Sequence, residues 1–349
     1  MKIKPLIYWP GLRPVSLITK KVVEKYEDDL VFVSSPSFDK TFKMPDIKEF
    51  EKQLGHKVIW LNHPDEIWDR KEEFSDINLI IHTGWNSKGW LKFDKYMKKS
   101  GAKIVLTLDN SYKGTFRQYL GAIYFRLFLK PIFDATFITG KSSYKLMKFF
   151  GMPENRIYRG LLGSNKNLYF YDKNIIKKQE FLFVGQLIKR KNFDILVKGY
   201  LKYKQNGGKY SLRVIGDGKF RNLITNDIIY EGFLKPHEVA KRMKETICLI
   251  LPSLEDHWPT VLHEAMCCGC LIMPSIHCGN YVDLLEDGVN GYLLKYLSVD
   301  ELVEKMFAIE KMNEKQIKKG IEKSLELSKN FGDDVYFESF EKIVGDLFD

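Results

Sequence analysis

Long apolar runs are the first thing missing from this 349-residue chain. Its most apolar basic stretch, residues 119–133 (YLGAIYFRLFLKPIF), contains Arg126 and Lys130 and ends in a proline turn. It is too short and too charged to span a bilayer, although it can lie on one. The opening MKIKPLIYWPGLRP has early lysines, but Pro5 and Pro10 break its apolar run, which leaves no signal-peptide core. Cysteine is absent from the first 247 residues, and all five (Cys248, Cys267, Cys268, Cys270 and Cys278) sit in one short stretch. A disulfide framework would be spread through a small secreted chain. The expectation is a reduced, cytoplasmic protein.

No low-complexity tract occurs, and the 44% hydrophobic and 29% charged fractions are those of an ordinary globular chain. The length suits two domains, each able to bury its own core. A formal charge of +10 suits an anionic partner: a nucleotide diphosphate, a phospholipid surface or a nucleic acid. The aromatic-basic interleaving of a nucleic-acid-binding module is absent, so no nucleic-acid partner is expected.

Short β-rich runs alternate with helical stretches at residues 5–9, 30–34, 57–61, 78–83, 103–108 and 135–139. After a polar stretch at 163–178 the pattern restarts at 181–184, 211–215, 228–230, 248–251 and 271–273. That alternation predicts an α/β protein of two Rossmann-like, doubly wound domains. The expected boundaries are 1–165 for an acceptor domain and 166–330 for a donor domain. Residues 300–325 and 334–348 are helical in period and rich in Glu and Lys, and 331–349 are expected to cross back to the first domain. Ligands of such sheets bind beyond the carboxyl ends of the strands, which points to an interdomain site.

Three motifs fall at predicted strand ends. The first, residues 184–192 (VGQLIKRKN), combines a glycine turn at Gly185 with the cations Lys189, Arg190 and Lys191. Such a loop either cradles a diphosphate or is a βα connection with solvated lysines. The second, residues 214–218 (VIGDG), is no dinucleotide fingerprint, because the third glycine of G-x-G-x-x-G would fall on Arg221. Gly216 and Gly218 instead read as a tight turn, with a backbone contact to a base in reach. The third runs from Glu255 through Asp256, His257, Pro259, Thr260, His263 and Glu264 to Gly269. Pro259 reads as a helix start and Gly269 as its cap, so an acidic loop precedes exposed helix amides. Asp256 alone would also satisfy a plain helix-dipole role.

Taken together, Gly185, Lys191, Gly216, Gly218, Glu264, Ala265, Met266, Cys268 and Gly269 resemble the pattern of the retaining GT-B glycosyltransferases of family 4, glycosyl transferases group 1. The likeness covers roughly the second half of the chain. It implies that Lys191 binds the donor diphosphate, that Glu264 holds the ribose, and that an acid seven intervening residues earlier touches the donor sugar. That register falls on Asp256, with Glu255 one residue too far, and either can reach the sugar. Gln186 stands where the family has arginine, so the second cation is Lys189 or Arg190. His257 and Thr260 flank the donor in this scheme.

In the first half, the strand at 103–108 looks like one that ends in a His-Asp pair in relatives; here Asp109 takes the histidine place and Asn110 the aspartate. Residues 9–16, with Gly11 and Arg13, stand where the family's glycine-rich loop approaches the phosphates. His82 is a further strand-end candidate, although a lone histidine there is more often structural. Cys267, Cys268, Cys270 and Cys278 with His263 and His277 invite zinc, but adjacent cysteines on a helix point about 100° apart.

No D-x-D pair, the metal-binding motif of the other common glycosyltransferase fold, occurs in the chain. The expected activity is therefore a metal-independent, retaining hexosyl transfer from a nucleotide-diphosphate sugar, with no cofactor. The acceptor would be a saccharide or lipid-linked saccharide, met at the inner face of the membrane. The competing expectation is a nucleotide-sugar-binding scaffold subunit with little activity, which the Gln186 and Asp109 departures favour.

Overall fold

The structure is a computed structural model that describes residues 1–12, 14–37 and 46–349. The chain forms two compact units, Met1–Gly163 with Gly332–Asp349, and Ser164–Phe331.

Among the described residues, seven parallel strands build the first unit: β1 (Pro5–Tyr8), β2 (Val31–Ser34), β3 (Val58–Trp60), β4 (Leu79–Thr83), β5 (Lys103–Leu108), β6 (Ala135–Ile138) and β7 (Ile157–Arg159). Their order is β3-β2-β1-β4-β5-β6-β7. Sequences such as LIIHT and KIVLTL lack the in-out alternation of a half-exposed strand because helices cover both faces. Helix Lys88–Lys99 buries Trp90, Phe93 and Met97 along one side, and the Ser87 hydroxyl caps its start by accepting from the Trp90 amide.

Helix Asp333–Phe348 returns to this unit after the whole second unit has been traversed. It buries Tyr336, Phe340 and Ile343, with the Tyr336 ring 5.0 Å from Phe137 of β6. Ion pairs Lys21–Asp334 and Lys25–Glu341 and a Tyr158 hydroxyl bond to Asp346 (2.7 Å) line its flank.

The second unit has five parallel strands, β8 (Lys178–Val184), β9 (Ser211–Ile215), β10 (Ile228–Gly232), β11 (Thr246–Leu251) and β12 (Leu271–Pro274), in the order β10-β9-β8-β11-β12. From β8 the chain winds outward through β9 and β10, then returns to the other side of β8 as β11. The winding thus reverses between β8 and β11, and in open α/β sheets that is where ligands bind. In the first unit the equivalent reversal lies between β1 and β4.

The helical period read across residues 300–325 is divided in the structure into helices Val299–Glu310 and Glu314–Ser328. The cause is local: Asn313 and Gln316 form a reciprocal capping box that starts the second helix afresh.

Candidate functional site

The loop after β8 and the loop after β9 fold onto each other before either can meet a ligand. The Gly185 amide donates to Ile215 O (3.0 Å) and the Leu187 amide to Asp217 O (2.9 Å). A Cβ on Gly216 (φ +129°) would stand 2.0 Å from the Gly185 carbonyl oxygen, and one on Gly218 would stand 2.6 Å from Leu187 O. Packing between these two loops thus accounts for both glycines. Their effect is to fix the path of the turn Lys189–Lys191, which leads through left-handed Asn192 (φ 55°) into helix Phe193–Gln205.

The three cations of that turn go separate ways. Lys189 bonds to Asp194 Oδ2 at 2.9 Å, on the first turn of the following helix. Arg190 donates to the Glu255 carbonyl (3.1 Å) and lies 4.0 Å from Asp256 Oδ2. Lys191 forms an ion pair with Asp256, 65 residues away, and the two side chains are only 12% and 14% exposed. The backbone holds the acid in place: the Leu254 amide bonds to Arg190 O, the Asp256 amide to His277 O, and the Asp256 carbonyl accepts from Gly279. Lys191 follows β8 and Asp256 follows β11, so the pair sits at the point where the winding reverses.

Helix Thr260–Cys267 comes next, with Pro259 as the residue before its first turn and Gly269 left-handed (φ +74°) beyond its end. Glu264 on this helix is partly exposed, so it keeps a face toward solvent. Its carboxyl is nevertheless densely surrounded, and burial pushes its pKa up to about 7 against the opposing hydrogen bonds from Thr260 and Tyr169. The Tyr169 hydroxyl, itself raised by burial, is a partner that the sequence motifs did not reveal. It lies in the polar stretch at 163–178, and no motif spacing ties it to Glu264.

His263, one residue earlier, points the other way. It is fully buried between Ser164 Oγ (2.6 Å) and the Ser328 carbonyl (2.8 Å), and burial lowers its pKa to about 4. All five cysteines are free and buried, and no group of metal-binding side chains occurs among the described residues. His257 is half-buried, and Glu255 is exposed beside Asp256.

In the first unit, Asp109 is exposed just past the end of β5. Gly11 follows β1 with φ +82°, and its amide bonds to Ser35 O at 2.8 Å, just past the end of β2. Arg13 lies outside the described residues. His82 is fully buried 2.8 Å from Asp94 and stacked on Trp90 with centroids 5.1 Å apart, a packed core histidine.

Residues 169–324 match the model of the family described as Glycosyl transferases group 1. The second unit is a glycosyl transferases group 1 domain. Among curated proteins, lipopolysaccharide 1,6-galactosyltransferase of Salmonella typhimurium is 26% identical, covering 68% of this chain and 75% of its own. Among solved structures, HepE of Anabaena in complex with UDP superposes with a TM-score of 0.78 at 16% identity, over 99% of this chain and 100% of its own. The apo lipopolysaccharide outer core galactosyltransferase WaaB gives 0.69 at 18% identity, over 98% and 99%. The architecture is the GT-B fold of these enzymes. Within the glycosyltransferase domain the structure brings Arg190, Lys191, Glu255 and Asp256 together, whereas Lys189 is directed to Asp194.

Proposed function

We propose that the chain moves a sugar from a nucleotide-diphosphate donor to a saccharide or lipid-linked saccharide, as a retaining, metal-independent hexosyltransferase of the cytoplasm that meets the inner face of the membrane. The observation that carries this is the Lys191–Asp256 pair at the winding reversal of a glycosyl transferases group 1 domain. Breaking the anomeric bond leaves negative charge on the departing diphosphate and positive charge on the sugar. The site must stabilise that separated state more than the intact donor.

Lys191 and Arg190 supply the cations for the diphosphate. Lys191 is paired with Asp256. Arrival of the diphosphate exchanges that partner for phosphate oxygens and frees the Asp256 carboxylate to accept sugar hydroxyls. Arg190, next to the same acid, supplies the charge that Gln186 does not, which favours an active transferase over a scaffold. Glu264 accepts the ribose hydroxyls, held by Thr260 and Tyr169.

The direct test is thermal stabilisation by UDP, GDP, ADP, CMP and TDP and their common sugars, with and without EDTA, followed by the anomeric configuration of the product by NMR. A rise with one nucleotide diphosphate that EDTA leaves unchanged is the expected result. No shift with any of them, or activity abolished by EDTA and restored by manganese, would overturn the donor site or its metal independence respectively.

A pH dependence follows from Glu264. With its pKa raised to about 7, the carboxylate that accepts two ribose hydroxyls is present only above that pH, so donor affinity should rise from pH 6 to pH 8. A nucleotide-sugar is the proper probe, because a diphosphate esterified at both ends does not titrate in this range. Tyr169→Phe removes a hydrogen bond to the ionised form, so the midpoint of the affinity profile should move to higher pH. An unshifted profile in calorimetric titration would separate Tyr169 from Glu264.

A further inference from the structure

Seven large apolar side chains from Phe116 to Phe128 stand in water on a single short element. Phe116, Tyr119, Leu120, Ile123, Tyr124, Leu127 and Phe128 are between 49% and 76% exposed and recur at i, i+3, i+4, i+7 spacing. They lie along helix Phe116–Tyr124 and the π-helical turn Phe125–Leu129, which is closed by the Lys130 amide on the Phe125 carbonyl (2.7 Å). The opposite side of the same element is anchored: Ala122, Phe125 and Leu129 are buried in the core of the first unit. The outward stripe is therefore a fixed surface. A contiguous apolar patch of this kind on a folded domain marks an interaction site.

Its charge pattern identifies the partner. Residues 110–133 contain no Asp or Glu, while Lys113, Arg117, Arg126 and Lys130 are all exposed. We propose that this face is a membrane-docking surface, seated in the interfacial layer of a bilayer containing anionic lipid, with the apolar stripe among the acyl chains and the cations at the headgroups. A second copy is a poorer occupant, because a two-fold contact would oppose four cations to four cations with no intervening acid. The proposal gives a surface to the membrane-held acceptor of the preceding section and rests on that section only for the purpose of docking.

The test is flotation of the intact protein with vesicles of phosphatidylcholine, with and without phosphatidylglycerol, at low and high salt. The expected result is co-flotation with anionic vesicles, weakened by salt. Ile123→Glu with Leu127→Glu should lower partitioning at least about tenfold, with the melting temperature and the nucleotide-induced shift unchanged. Absence of binding to either vesicle, or undiminished binding of the double variant, would overturn it. So would a concentration-dependent dimer, abolished by the same substitutions, with no vesicle binding. Absence of a nucleotide shift in the unsubstituted protein, with its anionic-vesicle flotation intact, would instead point to failure of the donor assignment.

Discussion

Lys191→Ala should lower turnover on the order of 10²–10³-fold, the usual effect of removing one donor aimed at developing charge. The same change leaves Asp256, only 14% exposed, with Arg190 at 4.0 Å as its nearest remaining cation. Some stability must therefore be lost, less than the about 3–5 kcal/mol of breaking a fully buried pair. The two effects can be separated. In Lys191→Ala with Asp256→Asn the unpaired charge is gone, so the melting temperature should recover while turnover does not. Lys191→Arg keeps the charge with altered geometry and should fall between. Near-normal rates in folded Lys191→Ala would remove the lysine from the mechanism.

Gly216→Ala should destabilise the second unit by about 3–5 kcal/mol, combining backbone strain with overpacking. The added methyl would stand 2.0 Å from the Gly185 carbonyl oxygen, at a φ of +129° that side chains rarely adopt. Neither loop can yield without moving the Lys189–Lys191 turn. Gly207→Ala is the control: φ is +87°, but nothing lies within 4 Å, so only the strain of about 1–2 kcal/mol remains. Differential scanning calorimetry should show a drop for Gly216→Ala on the order of 10 °C and a small one for Gly207→Ala. Equal drops would mean that the contact between the two loops is unimportant.

Most of the two sheets was legible because parallel strands covered on both faces are written as short, continuous apolar runs between helical periods. β7 was not, since Ile157–Arg159 is three residues long and carries an exposed arginine. The division of the C-terminal helical region was hidden because Asn313 continues the polar pattern; only its capping partner Gln316 betrays a new start. At the site, glycine turns and charged clusters were visible as motifs, yet the partner of each charge was not. Nothing in the spacing distinguishes Lys189, which bonds to Asp194, from Arg190, which lies beside Asp256. Tyr169 escaped because it comes from a segment without periodicity, and its contact with Glu264 spans 95 positions of chain that only folding closes. His82, a strand-end histidine of the kind that is more often structural, is a structural one: the core closes over it with Asp94 and Trp90.

The return of helix Asp333–Phe348 to the first unit has a consequence for biosynthesis. Tyr336, Phe340 and Ile343 complete the core next to β6, yet they are translated only after every residue of Ser164–Phe331. While the second unit is emerging, the first waits with an uncovered apolar seam on Phe137 and its neighbours. The order of translation and the order of completion are thus reversed: the unit begun first is finished last, and a chain truncated before residue 333 would carry the whole second unit beside a first unit whose apolar seam is uncovered.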